Sequence, residues 1–309
     1  PDRDYATLFT SDDLTDNKEV ILFRKYVAGL LGHRLCGYLV ASGNGATKDF
    51  VDDFLCIEPD GSAKPVALSE TFNDDEYENV LDNRDTRLTQ IVLDPRHSKE
   101  ILYNKDKFIF PRVAGMTGWE SATGYHVIKY YIAEQDMKGY GNETHDAPLL
   151  RYAEVLLGYV EAMNELKSPY KDPDTGNTIS RDVSQMVYYF NQVRYRAGLP
   201  GITDTQAADY ETMKAVLKQE YRVEFAFEDH RYYDLRRWKD AEVEESKKNY
   251  GCNFYMSDTE EQREQFYTPI EIADLPTAFS RKLYFWPISH DELKRNKRLT
   301  QNPGWTYND

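Results

Sequence analysis

Apolar positions along the chain follow different rules on the two sides of residue 146. Beyond it they recur every three or four residues. In "HDAPLLRYAEVLLGYVEAMNEL", Leu149, Ala153, Leu156, Val160 and Met163 form one stripe, the period of an amphipathic helix. Asp146 is placed as its N-cap and Pro148 in its first turn. After the loop "KSPYKDPDTGNTISRD", Val183, Val187, Phe190, Val193 and Ala197 keep the same phase. Gly198 and Pro200 stop that segment, as a C-cap glycine and a following proline do. The two segments predict an antiparallel helix pair. A third helix is predicted from about Ala207 through Phe227 on Met213, Val216 and Leu217. Ser289 with Glu292 three positions on predicts a capping box opening a short last helix.

Residues 1–145 have no long helical period. "EVILFRKYVAGLLG" begins as an extended apolar run, and "FVDDFLCIEPDGS" ends in a turn at Pro59, Asp60 and Gly61. "SGNGATKDF" and "VAGMTGWESATGYHVIKYY" are rich in Gly, Ser, Thr and Asn. This part reads as long loops, short strands and a few short helices, and long ordered loops carry function more often than fold. The chain therefore divides into a loop-rich segment, 1–145, and a helical one, 146–309.

Composition removes several classes of function. The 309 residues carry 38 Lys+Arg against 53 Asp+Glu, a net charge of -15, which repels phosphate backbones and argues against nucleic acid. No apolar run approaches the ~20 residues of a membrane span. Cys36, Cys56 and Cys252 are scattered without CxxC spacing, so they signal neither a zinc site nor a disulfide framework. The six histidines, His33, His97, His126, His145, His230 and His290, are dispersed. Neither Gly-x-Ser-x-Gly nor HExxH occurs, and no triad spacing stands out, which weakens a hydrolase reading.

The densest charge lies in "EYRVEFAFEDHRYYDLRRW", residues 220–238. Glu220, Glu224 and Glu228 fall four apart, one row on a helix. A di-metal bundle would need Glu-x-x-His from two helices, and no such pair is present. A glycosidase needs one carboxyl with a raised pKa, whereas Arg222, Arg231, Arg236 and Arg237 interleave here and would keep the glutamates ionised. The residue types favour a structural ion-pair network over an active site.

The same stretch resembles the signature of the SusD/RagB family, which reads E-R-x-x-E-L-x-F-E-G-x-R-x-x-D-L-x-R-W. Glu220, Glu224, Phe227, Glu228, Arg231, Asp234, Leu235, Arg237 and Trp238 match; Tyr221, Phe225 and Asp229 replace Arg, Leu and Gly. Asp is among the few residues that visit left-handed backbone in place of Gly. Further resemblances follow in family order: "DNKEVILFRKY", "NRDTRL", "TGYHVIKYY", "LLRYAEVLLGYVEAMNEL", "NQVRYRAGLP" and "FWPISHDELKRNKRLTQNPGW".

The resemblance implies a mostly α fold, a tetratricopeptide-like αα superhelix with a loop-rich segment containing short strands. It implies the C-terminal portion of such a protein, with the family's N-terminal helical half lying outside this chain and some apolar surface left uncovered. It also implies a non-catalytic lipoprotein of the Bacteroidetes outer membrane, anchored at the cell surface by a lipid outside this chain. Its partners would be a SusC-like TonB-dependent transporter and an oligosaccharide. The alternatives are a peptide-binding, RagB-like member and a helical-repeat interaction scaffold.

The family's ligand sites are aromatic platforms on variable loops, because ring faces stack on the C–H faces of sugars. Trp119 and Tyr125, in "AGMTGWESATGY", and Tyr38 and Asn44, in "GYLVASGNG", are the candidates here. Glu220, Glu224, Glu228, Arg231, Asp234, Arg237 and Trp238 are assigned to scaffold. No cofactor is implied other than calcium, which some members bind near the Asp-Leu of the motif, here Asp234 and Leu235.

Overall fold

The computed structural model describes residues 4–41, 44–94, 96, 121–136, 138–139, 141–252, 267–272 and 278–306. Helices dominate the second half; short helices and paired two- to five-residue strands make up the first.

The seam near residue 146 is built differently from the helical reading. Residues Ala147–Arg151 form a strand, β2, antiparallel to β1, Val20–Arg24, with Val20 opposite Arg151 and Arg24 opposite Ala147. The Asp146 carboxylate caps no helix: it accepts the amides of Leu14 (3.1 Å) and Tyr26 (3.0 Å). Strand pairing satisfies the backbone of 147–151 first, so the following helix, α3, starts at Tyr152 and runs to Asn164. Leu149 then leaves the apolar stripe and is 61% exposed.

From there the periodicity holds. Ala153, Leu156, Leu157, Val160 and Met163 of α3 bury against Met186, Phe190 and Val193 of α4, Val183–Arg196. Asp182 caps α4 by accepting the Gln185 amide at 3.0 Å, and Gly198 closes it in left-handed backbone, φ 72°. The predicted third helix is two. Thr203 and Gln206 form a capping box that opens α5, Asp204–Ala208. Asp209 then accepts the Thr212 amide at 2.8 Å and starts α6, Tyr210–Glu224, anew. A five-residue turn follows, with Phe227 (φ 60°) and Asp229 (φ 63°) both left-handed, before α7, His230–Trp238. Asp229 thus adopts the conformation its replacement of Gly calls for. Ser289 accepts the Glu292 amide and caps the helix His290–Arg295.

Two large apolar cores result among the described residues, beside a small cluster of Leu55, Ala197 and Leu199. One unites α3, α4 and α6; the other gathers the helix Asp4–Thr10 (α1), residues 50–54, 88–93 and 125–131. Neighbours on α6 and its turn divide between them: Val223 and Ala226 join the second, Tyr221 and Phe225 the first. The 220–228 stretch therefore sits at the boundary of both. Ile21, Leu22, Leu149, Tyr152 and Val155, on β1, β2 and α3, are apolar and exposed. No described helix is long and apolar enough to cross a membrane.

Candidate functional site

The carboxylate row converges although the helix ends at Glu224 and Glu228 lies in the turn. Arg87 Nη1 reaches Glu220 and Glu224 at 2.7 Å each, and Arg87 Nη2 pairs with Asp85 at 2.7 Å. Arg151 binds Glu19 (2.7 Å), Glu224 (2.8 Å) and Glu228 (2.7 Å). Arg194 binds Glu220 at 3.1 Å, Arg196 binds Glu224, and Lys129 binds Glu228 at 2.7 Å. Burial raises the Glu224 pKa, but Arg196, Arg151 and Arg87 outweigh it and hold the carboxyl well below the usual carboxylate range. Burial, only partly offset by Glu228, pulls the Lys129 ammonium down to about 8. Glu220 and Glu224 are buried and each is paired with two or more cations. That is the chemistry of a scaffold, with no room at those two for a substrate.

The arginines interleaved in the motif pair elsewhere, contrary to the sequence expectation. Arg222 reaches Asp49 and Asp53, Arg231 reaches Glu244, and Arg236 reaches Glu245. Arg237 binds Asp234 at 2.8 Å and also Glu161, which accepts Trp238 Nε1 at 2.7 Å, so α7 is tied to α3. On a helix they point away from the glutamate row, whose cations come from remote segments.

An open site lies at the other side of the first half. The helix Leu35–Ala41, here α2, has its first amides bound by one carboxylate: Cys36 N and Gly37 N donate to Glu143 at 2.7 and 3.0 Å. This fixes Tyr38, 49% exposed, over a cleft of about 490 Å³ lined by Tyr26, His33, Arg34, Leu35, Tyr130 and His145 together with Tyr38 itself. The Arg34 guanidinium lies 5.8 Å from the Tyr38 ring centre, and Asn44 Nδ2 donates to the Tyr38 carbonyl at 3.1 Å. The lining is mostly apolar, with the Tyr38 ring and the Arg34 guanidinium among it. Such a surface can stack an apolar face while bonding polar substituents. A larger cleft, about 810 Å³, lies among α1 and residues 81–90 and 128–134. Its rings Phe9 and Tyr131 are buried, so they form no open platform.

A family model describing the SusD family matches residues 37–305. The chain belongs to the SusD family. Among its relatives, SusD-like protein P2 of Formosa agariphila is 27% identical over 188 residues, covering 58% of this chain and 30% of that protein. A SusD-like protein from Bacteroides fragilis NCTC 9343 is 24% identical with a TM-score of 0.68. A SusD-like carbohydrate binding protein from the same organism is 22% identical with a TM-score of 0.70. Each comparison covers 97% of this chain and 57% of the other. The mostly helical SusD-like fold is thereby shown, and the chain spans little more than half of those structures.

Within this SusD-family chain the four ligand candidates part company. Tyr38 lines the cleft, whereas Asn44 does not and bonds the Tyr38 main-chain carbonyl. Tyr125 does not: its ring is 0% exposed inside the core, on a strand pair in which Ala46 faces Tyr125, because a large aromatic beside short strands is worth more buried. Trp119 lies outside the described residues. Asp234 is buried against Arg237, and the Leu235 carbonyl accepts the Asp240 amide at 2.9 Å. Tyr26, His33, Arg34 and His145 were missed. No local pattern could have found them, since His33 and His145 lie 112 residues apart in sequence.

Proposed function

We propose that this chain is part of a non-catalytic cell-surface protein that captures oligosaccharides and passes them to a SusC-like TonB-dependent transporter of the outer membrane. The observation that carries the reading is the half-exposed Tyr38 ring at the apolar cleft, with the Arg34 guanidinium beside it. Membership of the SusD family supports it, as does the similar fold of a SusD-like carbohydrate binding protein. The buried pairing of the Glu220–Glu228 row supports the non-catalytic part, since paired carboxylates are poor acids and bases. Tyr38 would stack on a sugar face while Arg34 bonds hydroxyls. Trp119 is kept as a second platform.

A glycan array followed by calorimetry tests the proposal. Tyr38→Ala should weaken the best glycan by ~1–3 kcal/mol without lowering the melting temperature, and the glycan should quench tryptophan fluorescence through Trp119. Unchanged affinity in Tyr38→Ala removes the cleft as the site. Binding of peptides and no glycan would favour the RagB-like alternative. Copurification of the full-length protein with a large β-barrel tests the transporter.

A further inference from the structure

Glu143 and His145 are two apart on an extended segment and so face the same way. His33 is locked opposite Glu143 by two backbone hydrogen bonds, His33 N to Glu143 O at 2.9 Å and Glu143 N to His33 O at 3.3 Å. Gly32 permits this approach: a Cβ there would lie 2.2 Å from the Gly141 carbonyl oxygen. The pairing brings one ligand atom from each of His33, Glu143 and His145 to within 4.8 Å of the others. The backbone fixes this juxtaposition before any ion arrives.

The polar atoms are left incomplete. His145 is 1% exposed, and neither of its ring nitrogens has a hydrogen-bond partner; a buried unpaired imidazole is costly. His33 Nε2 is 3.1 Å from the His145 carbonyl, which can only accept, so Nε2 carries the proton. His33 Nδ1 lies 3.3 Å from the Leu35 amide nitrogen and faces Glu143 Oε2 at 3.2 Å. A buried carboxylate beside two imidazoles, one of them with both nitrogens unpartnered, is satisfied by a cation held among them. Two ligands on one tetrahedral ion with bonds of about 2.0–2.1 Å stand roughly 3.3 Å apart.

We propose that His33, Glu143 and His145 form a binding site for a divalent transition-metal ion of the zinc type, with its open coordination position on the Tyr38 cleft. Two imidazoles and a carboxylate are the donor set such ions take. Both imidazoles line the cleft, so a water or a ligand oxygen can complete the shell. The Cys36 and Gly37 amides orient the carboxylate, as outer hydrogen bonds do in metal sites. Binding requires the His145 ring to turn toward the other two ligand atoms, which lie within 4.8 Å of its own. Two nitrogens and one carboxylate do not suit calcium, which wants six to eight oxygens. The ion site stands whether or not the cleft takes glycan.

The test uses the whole chain, freed of metal by chelation, titrated with Zn²⁺ or Co²⁺ alone. One Zn²⁺ per chain should bind and raise the melting temperature. Co²⁺ should give the visible bands of a low-coordinate nitrogen–oxygen site. His145→Ala and His33→Gln should each weaken binding by more than the ~10–100-fold that loss of an outer hydrogen-bond partner costs, and should abolish the cobalt bands. Circular dichroism verifies that each variant folds, and His145→Gln replaces His145→Ala if that chain does not. No saturable binding, unchanged binding in both variants, or a cobalt spectrum dominated by thiolate charge transfer would each overturn the proposal.

Discussion

Replacing Glu224 by glutamine removes one charge from a closed set. Arg87, Lys129, Arg151, Arg194 and Arg196 face Glu19, Asp85, Glu220, Glu224 and Glu228, five cations against five carboxylates. Glu224 is 0% exposed and touches three of the cations. Glutamine keeps the shape but leaves a net positive charge where water cannot reach. Breaking a buried pair in this way costs ~3–5 kcal/mol, roughly 6–10 °C at about 2 °C per kcal/mol for a chain of this size. The pH dependence has a definite sign. The folded pKa of Glu224 is depressed, so its contribution is present above the unfolded value of about 4.3 and is lost as pH falls towards the folded one. Thermal melts of both proteins at pH 7.5 and 4 provide the measurement, and the difference between them should shrink at the lower pH. A glutamine variant melting within about 2 °C of the parent at pH 7.5 would refute the reasoning, because the cluster would then be screened or repaired by water.

Further outcomes follow from other positions. Burial lowers the pKa of His126 to about 4, and burial with His33 and Lys138 lowers that of His145 to about 3. The unfolded chain therefore binds more protons below about 6.5, and urea-derived stability of the metal-free chain should fall from pH 6.5 to 5 by at most ~2 kcal/mol per histidine; a flat profile contradicts this. Asp229 sits at φ 63°, so Asp229→Gly should hold or raise the melting temperature while Asp229→Val costs ~1–2 kcal/mol. Equal melts for the two would show that the turn is not conformationally constrained. With Asp234 held by Arg237, added Ca²⁺ should not move the melting temperature of metal-free protein; a rise lost in Asp234→Asn would place calcium there.

How much was legible in the sequence can be read off particular elements. The helices α3, α4 and α6 rest on 3.6-residue periodicity, and Gly198 acts where the letters place it. These are short-range effects, so neighbouring residues suffice to specify them, as Ser289 and Gly198 show. The family was legible for a related reason: its motifs are strings of fixed spacing. What joins those strings was not. Arg87, Lys129 and Arg151 come from three separate motifs and Arg194 with Arg196 from a fourth, and only folding brings them to one carboxylate row, because ion pairing depends on distance in space and not in sequence. The same cause turned 147–151 from helix start to strand, since its partner lies more than 120 residues earlier. It also buried Tyr125 while leaving Tyr38 half open. His33 and His145 carry no local signal of each other. Two backbone hydrogen bonds between His33 and Glu143 decide that they meet, and those bonds exist only in the tertiary structure.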